Sequence, residues 1–268
     1  MAQIVVPIKQ VPDMERVRFD QEKGTVDRSS APGEINPFDL NAIEAAVQIK
    51  EKIGGSITAV SMGPPQAESS LRDALSRGVD RAVLLVDRAF AGADTWATSY
   101  TLAVAIKRLG QYDLIICGEK TVDGDTGQVG PSIAEWLGIP HVAYVSQIRE
   151  VRDKLKVLSD MERERYVMEL GFPVLITVTK DLNVPRLASF SDKMKARKAQ
   201  IEQWGADELS ADADPTKFGL KGSPTRLNRV IVPSEEGRKG EIFRGAPQET
   251  VGDLVDVLSQ NGLLEGVR

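Results

Sequence analysis

Cysteine and histidine are nearly absent from this chain, which contains one of each, Cys117 and His141. A single cysteine cannot form an internal disulfide or supply the clustered thiolates of a zinc or iron–sulfur site. No nucleophile-elbow sequence accompanies His141, so a Ser-His-Asp triad has little support. We therefore predict structural roles for both residues, no metal site and no catalytic side chain. We expect any redox chemistry to come from a bound cofactor.

Long apolar runs and an excess of positive charge are also missing. No apolar stretch approaches the roughly 20 residues of a bilayer span. The N-terminal run Ile4–Ile8, interrupted by Pro7, is too short for the core of a signal peptide. The net charge of −5 provides no positive field to attract nucleic acid. We expect a cytoplasmic protein that binds no nucleic acid.

What the chain does have is an alternating pattern. Its 268 residues, 41% of them hydrophobic, suffice for one or two domains. Short β-branched runs alternate with helical patterns from Gln3 to about Val142, which is typical of parallel βαβ units. Predicted helices begin near Pro37 and span about 66–77, 95–108 and 126–137, and Asn36 is predicted to cap the first through its side-chain oxygen. The predicted strands are Ile4–Ile8, Ile57–Ser61, Ala82–Val86, Leu114–Cys117 and His141–Val145.

The pattern changes after Val145. Residues 146–170 alternate as a two-stranded antiparallel excursion, and Pro173–Val178 is typical of a buried strand. From Val184 the chain is mostly polar, with scattered prolines, until an amphipathic segment at Val251–Leu264. This stretch lacks a core of its own, which is typical of an arm that wraps a partner or is partly disordered. We predict an α/β domain over residues 1–183 and a C-terminal arm over 184–268.

Three loops follow predicted strands, where open parallel sheets bind their ligands. Thr121–Gly130, with the sequence TVDGDTGQVG, predicts a phosphate seat at the start of a helix. Asp125 and Gln128 have capping-box spacing, and we expect Asp123 and Asp125 to turn into the loop and bind backbone amides. An ordinary capped turn explains the same motif equally well.

The other two loops are Met62–Pro65 and the small-residue segment Asp87–Ser99. Glycine in the first allows a ligand ring to lie against backbone, and Asp94 in the second is a predicted helix cap. Plain packing and an ordinary surface loop are the alternatives. The ligand site predicted from these loops comprises Met62, Gly63, Asp94, Thr95, Thr98, Asp123, Gly124, Asp125, Thr126, Gly127, Gln128, Val129 and Gly130.

A possible protein-docking segment lies at Ala188–Lys198, where one aromatic residue precedes a short basic helix. An exposed Phe beside cations suits an acidic partner protein. The alternative is a solvated helix whose Phe packs back on the core. The predicted docking residues are Phe190, Lys193, Met194 and Lys195.

Together these segments resemble the β subunit of electron transfer flavoproteins over nearly the whole chain. The motifs that carry the resemblance are KQVPD at Lys9–Asp13, INPFDLNAIEAA at Ile35–Ala46, VSMGPP at Val60–Pro65, CGEKTVDGDTGQVGPSIAEWLGIP at Cys117–Pro140, PVLITVTKDLNVPR at Pro173–Arg186 and DKMKARK at Asp192–Lys198. The resemblance implies a Rossmann-like, nucleotide α-hydrolase-like parallel sheet and a heterodimer with an α subunit that carries a redox-active FAD. It implies a docking anchor at Phe190, a position that is often Leu in relatives. The nucleotide contacts it implies are Pro7, Asn36, Pro37, Phe38, Asp39, Met62 and the loop and helix start at 123–134.

The family has two subclasses that differ in the ligand of the β subunit. Ordinary members hold AMP, whereas electron-bifurcating members hold a second FAD there and oxidise NADH. The sequences DGDTGQVGP, MGPPQAE and DRAFAGADTWATS resemble the bifurcating class.

The bifurcating class implies an acyl-CoA dehydrogenase-type partner, with ferredoxin, flavodoxin or a membrane oxidoreductase as further partners. A non-bifurcating subunit with structural AMP is the alternative. A nucleotide-hydrolysing protein on the same fold would need a phosphate-binding lysine loop, which GEKT at Gly118–Thr121 does not provide.

Overall fold

A computed structural model describes residues 2–13, 16, 18–20, 25–27, 32–226, 240 and 242–264. They belong to two units, 1–229 and 230–268. The strands are β1 (Ala2–Pro7), β2 (Gln10–Pro12), β3 (Arg18–Asp20), β4 (Thr25–Asp27), β5 (Gly33–Ile35), β6 (Gly55–Met62), β7 (Arg81–Leu85), β8 (Leu114–Gly118), β9 (His141–Val151), β10 (Lys154–Met161), β11 (Glu164–Gly171), β12 (Val174–Val178) and β13 (Glu202–Trp204). The helices are α1 (Pro37–Ile53), α2 (Glu68–Ser76), α3 (Thr95–Leu109), α4 (Val129–Leu137), α5 (Phe190–Lys198), α6 (Ala206–Leu209), α7 (Gly219–Gly222) and α8 (Pro247–Gln260).

The first unit is built on a sheet with the strand order β11-β10-β9-β12-β8-β1-β6-β7-β13. The ladders from β9 through to β13 are parallel. Strand β10 pairs antiparallel with both β9 and β11. This is the expected α/β class, with a parallel sheet extended by an antiparallel hairpin.

Alternate residues of the central strands pack into two hydrophobic cores, which lie on opposite faces of the sheet. On β1, Ile4 and Val6 pack with α1 and α2, whereas Val5 packs with α3 and α4. All three side chains are buried. Side chains point to opposite faces with a period of two, so a strand buried on both sides is apolar throughout. Each such side chain contributes about 1.5–3 kcal/mol of burial free energy.

The predicted strands are all present, and most differ only by a residue or two at their ends. His141–Val145 is longer than predicted because it runs on to Val151 and pairs with β10. Helix α4 begins at Val129 rather than at Thr126. Asp125 and Gly127 have φ angles of 53° and 63°, which a right-handed helix cannot contain.

Part of the predicted arm belongs to the first unit. Strand β13 pairs in parallel with β7, and Trp204, Leu209 and Phe218 are buried in the core that includes α3. These segments are too short to show a periodic pattern, which is why the sequence did not reveal their packing. In the second unit, α8 is amphipathic, and Val251, Leu254 and Val255 are exposed.

Candidate functional site

A cavity of about 490 Å³ opens at the carboxyl ends of β1, β6 and β8. Its size and position are those of ligand sites in open α/β sheets. Pro7, Met62 and Gly118 mark the three strand ends, and the starts of α3 and α4 form two further walls.

Most of the predicted ligand residues line this cavity. Those it brings together are Pro7, Asp39, Met62, Asp94, Thr95, Thr98, Gly124, Thr126, Gly127, Gln128, Val129 and Gly130. Those outside its lining are Asn36, Pro37, Phe38, Gly63, Asp123 and Asp125. The other lining residues are Ile8, Lys9, Phe90, Gly92, Ala93, Leu102, Cys117, Gly118, Glu119, Lys120 and Thr121. Among them, Thr121 lies in the predicted phosphate loop, and Phe90, Gly92 and Ala93 lie in the predicted small-residue loop. Several of the others follow β1 or β8 directly, and that position could have indicated them.

The capping box predicted for Asp125 and Gln128 is wrong. Gln128 occupies the cap position of α4 but makes no side-chain cap bond. Its Oε1 instead accepts a hydrogen bond from the Thr95 hydroxyl at 2.9 Å. The capping-box spacing fails because the left-handed residues Asp125 and Gly127 interrupt the turn. Gln128 therefore joins the starts of α3 and α4 at the cavity wall.

The acids of the loop are balanced by lysines. Asp123, whose side chain is 6% exposed, forms an ion pair with Lys9 Nζ at 2.7 Å. Asp125 does not turn into the loop as predicted, because its side chain is exposed and lies 2.8 Å from Lys120 Nζ. Neither carboxylate is left uncompensated beside the cavity.

Asn36 is not the side-chain cap that the sequence predicted. It precedes α1, but its side chain makes no capping hydrogen bond with the backbone amides of the helix. Its Nδ2 donates to the carbonyl of Lys120 at 2.9 Å, and its Oδ1 accepts from the amide of Val122 at 3.1 Å. The buried side-chain amide therefore joins the start of α1 to the loop after β8. It does not line the cavity itself, but it holds the loop that does.

Asp39 is buried next to the same loop. Its Oδ2 accepts a hydrogen bond from the Lys9 amide at 2.8 Å. Burial raises the pKa of Asp39 to about 7, against the opposing effect of hydrogen bonds from Lys9, Asn36 and Gly118. A Cβ at Gly118 would lie 2.4 Å from Asp39 Oδ1, so glycine is required there.

Phe38 lines a second, more polar cavity of about 670 Å³. Glu119 and Lys120 line both cavities. Tyr144 lines the second one and has a φ of 55°, an unusual backbone conformation for a bulky residue. Burial, opposed by Lys120, raises the pKa of Glu119.

Cys117 and His141 differ in their position relative to the cavity, which only Cys117 lines. The Cys117 thiol is buried, and burial, followed by the charge of Asp39, raises its pKa far above the ordinary value. A thiol that stays protonated is a poor nucleophile. His141 begins β9 and lies outside the cavity lining. Across the described residues, no group of His, Cys, Asp and Glu side chains is arranged to hold a metal ion.

The predicted docking residues lie on α5. Phe190 is its first residue and is 81% exposed, so it does not pack back on the core. Ser189 caps the helix by accepting from the Asp192 amide. Arg72 of α2 donates to the carbonyls of Ala196, Arg197 and Ala199, which fixes the far end of α5. Lys193, Met194 and Lys195 are all exposed.

None of the helices in the described ranges combines the length and the apolar character needed to cross a bilayer.

Fold and cavity together define a Rossmann-like α/β protein with a cavity at its strand ends. The family model described as electron transfer flavoprotein domain matches residues 23–209. Residue identity is 47% to the electron transfer flavoprotein subunit beta of Thermoanaerobacterium thermosaccharolyticum, over 97% of this chain and 99% of that protein. It is 41% to Protein FixA of Bradyrhizobium diazoefficiens, over 96% and 91%. It is 42% to the caffeyl-CoA reductase-Etf complex subunit CarD of Acetobacterium woodii, over 97% and 99%. The chain belongs to the electron transfer flavoprotein family and matches its beta subunits.

Proposed function

We propose that the cavity binds FAD and that the chain serves an electron-bifurcating electron transfer flavoprotein. The α subunit carries a second FAD, and the complex shuttles electrons between NADH, an acyl-CoA dehydrogenase-type flavoenzyme and a further acceptor such as ferredoxin, flavodoxin or a membrane oxidoreductase. The bound flavin supplies the redox chemistry. The residues of this chain bind and orient it. The single observation that carries the proposal is the cavity itself, which is lined by a glycine-rich turn and by a small-residue wall.

The glycine-rich side suits a phosphate. Gly127 has a φ of 63°, and a Cβ at Gly124 would lie 3.3 Å from Thr121 Oγ1. Backbone amides can therefore come close to a ligand there. Lys9 and Lys120 both line the cavity and pair with the acids of the loop. Because the lysines balance the acids, Asp123 and Asp125 do not leave an uncompensated negative charge that would repel a pyrophosphate.

The small-residue wall of the cavity suits a flat ring. Gly92 and Ala93 present almost no side chain, while Phe90, Leu102 and Met62 supply apolar surface. Ligand pockets of about 300–1,000 Å³ commonly combine such apolar walls with a few polar groups. A site for AMP alone has less need of the small-residue wall, and this favours FAD.

The relatives support the assembly. The name of the Acetobacterium woodii relative places it in a complex with caffeyl-CoA reductase, which fits a reductase or dehydrogenase of acyl-CoA substrates as partner here. The exposed Phe190, held on an anchored helix beside Lys193, Met194 and Lys195, is suited to docking such a flavoenzyme.

Cofactor counting tests the proposal. The αβ complex is purified, its nucleotides are extracted without hydrolysis, and FAD and AMP are quantified against protein. Two FAD per heterodimer is the expected result. One FAD and one AMP would refute bifurcation and establish the alternative, a binding and docking subunit with structural AMP. One FAD and no second adenine nucleotide would refute the proposal that the cavity binds an adenine nucleotide.

A further inference from the structure

Residues 214–225, which we call the strap, run along the outside of the cavity wall formed by residues 90–95. The wall residues Phe90, Gly92, Ala93, Asp94 and Thr95 line the cavity, whereas none of the strap residues does. The strap begins where the amide of Asp214 donates to the Tyr100 hydroxyl at 2.6 Å. All of these residues belong to the first unit.

The middle of the strap packs closely on the wall. Phe218 is 2% exposed and meets the Phe90 ring edge-on, with 5.2 Å between ring centroids. The Leu220 amide donates to the Ala91 carbonyl at 3.0 Å. Gly219 has a φ of 53°, and a Cβ there would lie 2.1 Å from the carbonyl oxygen of Ala89. Glycine is therefore needed for this approach.

The end of the strap is bound by Asp94. The Asp94 amide donates to Ser223 Oγ at 2.9 Å. Its Oδ2 accepts from both the amide and the hydroxyl of Thr225, at 2.9 and 2.8 Å, and its Oδ1 accepts from the Ala97 amide and caps α3. Burial raises the pKa of Asp94, but these hydrogen bonds outweigh it and hold the pKa below its ordinary value. The carboxylate is occupied by protein donors rather than aimed at a ligand.

We infer that Asp94 is a positioning residue and that the strap holds the cavity wall in its ligand-binding shape, so that ligand binding and strap attachment are linked. The inference rests on the proposed function, because it takes the ligand to be an adenine nucleotide. A ligand that binds only when the strap is attached stabilises the attachment, and a variant that lowers the attached fraction lowers the apparent ligand affinity by the same factor. The geometry thus couples the cavity to a part of the chain that contacts no ligand.

Asp87 provides a matched control. It too uses Oδ1 to cap a turn, at the Ala89 amide, and Oδ2 to accept from a later part of the chain, at the Ala206 amide, each at 2.9 Å. Asp87 does not line the cavity. Asp94→Asn and Asp87→Asn therefore make the same chemical change, and Asn retains the capping oxygen in both.

The test uses the αβ complex after removal of bound nucleotide, with AMP and FAD as titrants. We expect Asp94→Asn to lower affinity about tenfold and Thr225→Val about threefold, as lost hydrogen bonds of these types predict. The double variant should bind nucleotide no more weakly than Asp94→Asn does, because both substitutions remove the same contact. Asp87→Asn should bind like the unsubstituted complex.

Hydrogen exchange supplies the readout that a purely structural role would not move. Added AMP should slow exchange at the Leu220 and Thr225 amides about tenfold or more at saturation, while the Ala206 amide stays unchanged. If AMP or FAD binds but the strap amides do not respond and Asp94→Asn binds normally, the linkage is refuted and the proposed function survives. If neither nucleotide binds the unsubstituted complex, the proposed function fails and the linkage fails with it.

Discussion

Lys9 Nζ lies 2.7 Å from each carboxylate oxygen of Asp123, across 114 positions of sequence. The pair joins the end of β1 to the loop after β8, and it neutralises an acid whose side chain is 6% exposed. Lys9 itself is 44% exposed, so water screens part of the interaction.

Replacing Lys9 by Met should destabilise the protein, because a buried carboxylate loses its cation. We expect a loss of about 1–2 kcal/mol, below the value for a fully buried pair. Chemical denaturation gives the measurement, and Lys154→Met, which breaks an exposed pair with Glu169, is the control. Adding Asp123→Asn to Lys9→Met should recover part of the loss. If Lys9→Met were as stable as the unsubstituted chain, the Lys9–Asp123 pair would contribute nothing measurable to the free energy of unfolding.

Asn36 and Ser189 both precede helices, but only Ser189 caps through its side chain. Aspartate is as good a cap as either residue. We expect Asn36→Asp to lower the free energy of unfolding by about 1–3 kcal/mol, because a carboxylate cannot donate to the Lys120 carbonyl. Ser189→Asp should change it by only a few tenths of a kcal/mol. Chemical denaturation of both variants gives the measurement. If Asn36→Asp were as stable as the unsubstituted chain, Asn36 would act as a cap after all.

Asp39 should make the protein less stable as pH rises. Its pKa is raised from 3.8 to about 7 on folding. Between these values the folded state holds a proton that the unfolded state has released, so the contribution of Asp39 to stability is fully present below pH 3.8 and is lost as the pH rises through about 7. The total effect is on the order of 4 kcal/mol.

Asp39→Asn should flatten this slope, since the amide oxygen can still accept from Lys9. Unfolding free energies measured from pH 4 to pH 8 provide the comparison. Asp113→Asn, which replaces a carboxylate bound to the Gln3 amide, is the control. Parallel curves for Asp39→Asn and the unsubstituted chain would contradict the expectation.

Phe190→Ala should slow electron exchange with the partner flavoenzyme about tenfold or more, as loss of a central aromatic anchor does. Bound cofactor should be unchanged, because Phe190 does not line the ligand cavity. Phe190→Leu should retain most of the rate, since Leu also presents a large apolar side chain. Met161→Ala removes another exposed apolar side chain, on β10, and serves as control. Unaltered kinetics for Phe190→Ala would exclude it from docking.

Local patterns were enough to predict the strands and their alternation with helices. The runs around Val5, Val60 and Ile115 are apolar on both faces because helices cover both sides of a parallel sheet. They were also enough to locate the edge of the sheet where the cavity opens, since parallel strands end there. Ten of the residues predicted from the loops line the cavity for this reason, whereas Pro7 and Asp39 were implied by the family resemblance.

Side-chain partners were predicted poorly. Asn36 and Gln128 stand at helix starts, and short-range rules made both of them caps. In the folded chain each binds a distant segment instead, Asn36 at Val122 and Gln128 at Thr95. A local rule cannot weigh a competing donor that only tertiary packing brings within reach.

By itself the sequence determined the class of sheet, the order of its elements along the chain and the loops that line the cavity, because hydrophobic period and turn residues act over a few positions. Only the tertiary structure decided the insertion of β12 between β9 and β8, the pairing of Lys9 with Asp123 and the strap behind Asp94. These contacts join residues from 33 to 131 positions apart. They depend on which segments the packed core brings together, and a pattern over a few neighbouring residues contains no information about such distant partners.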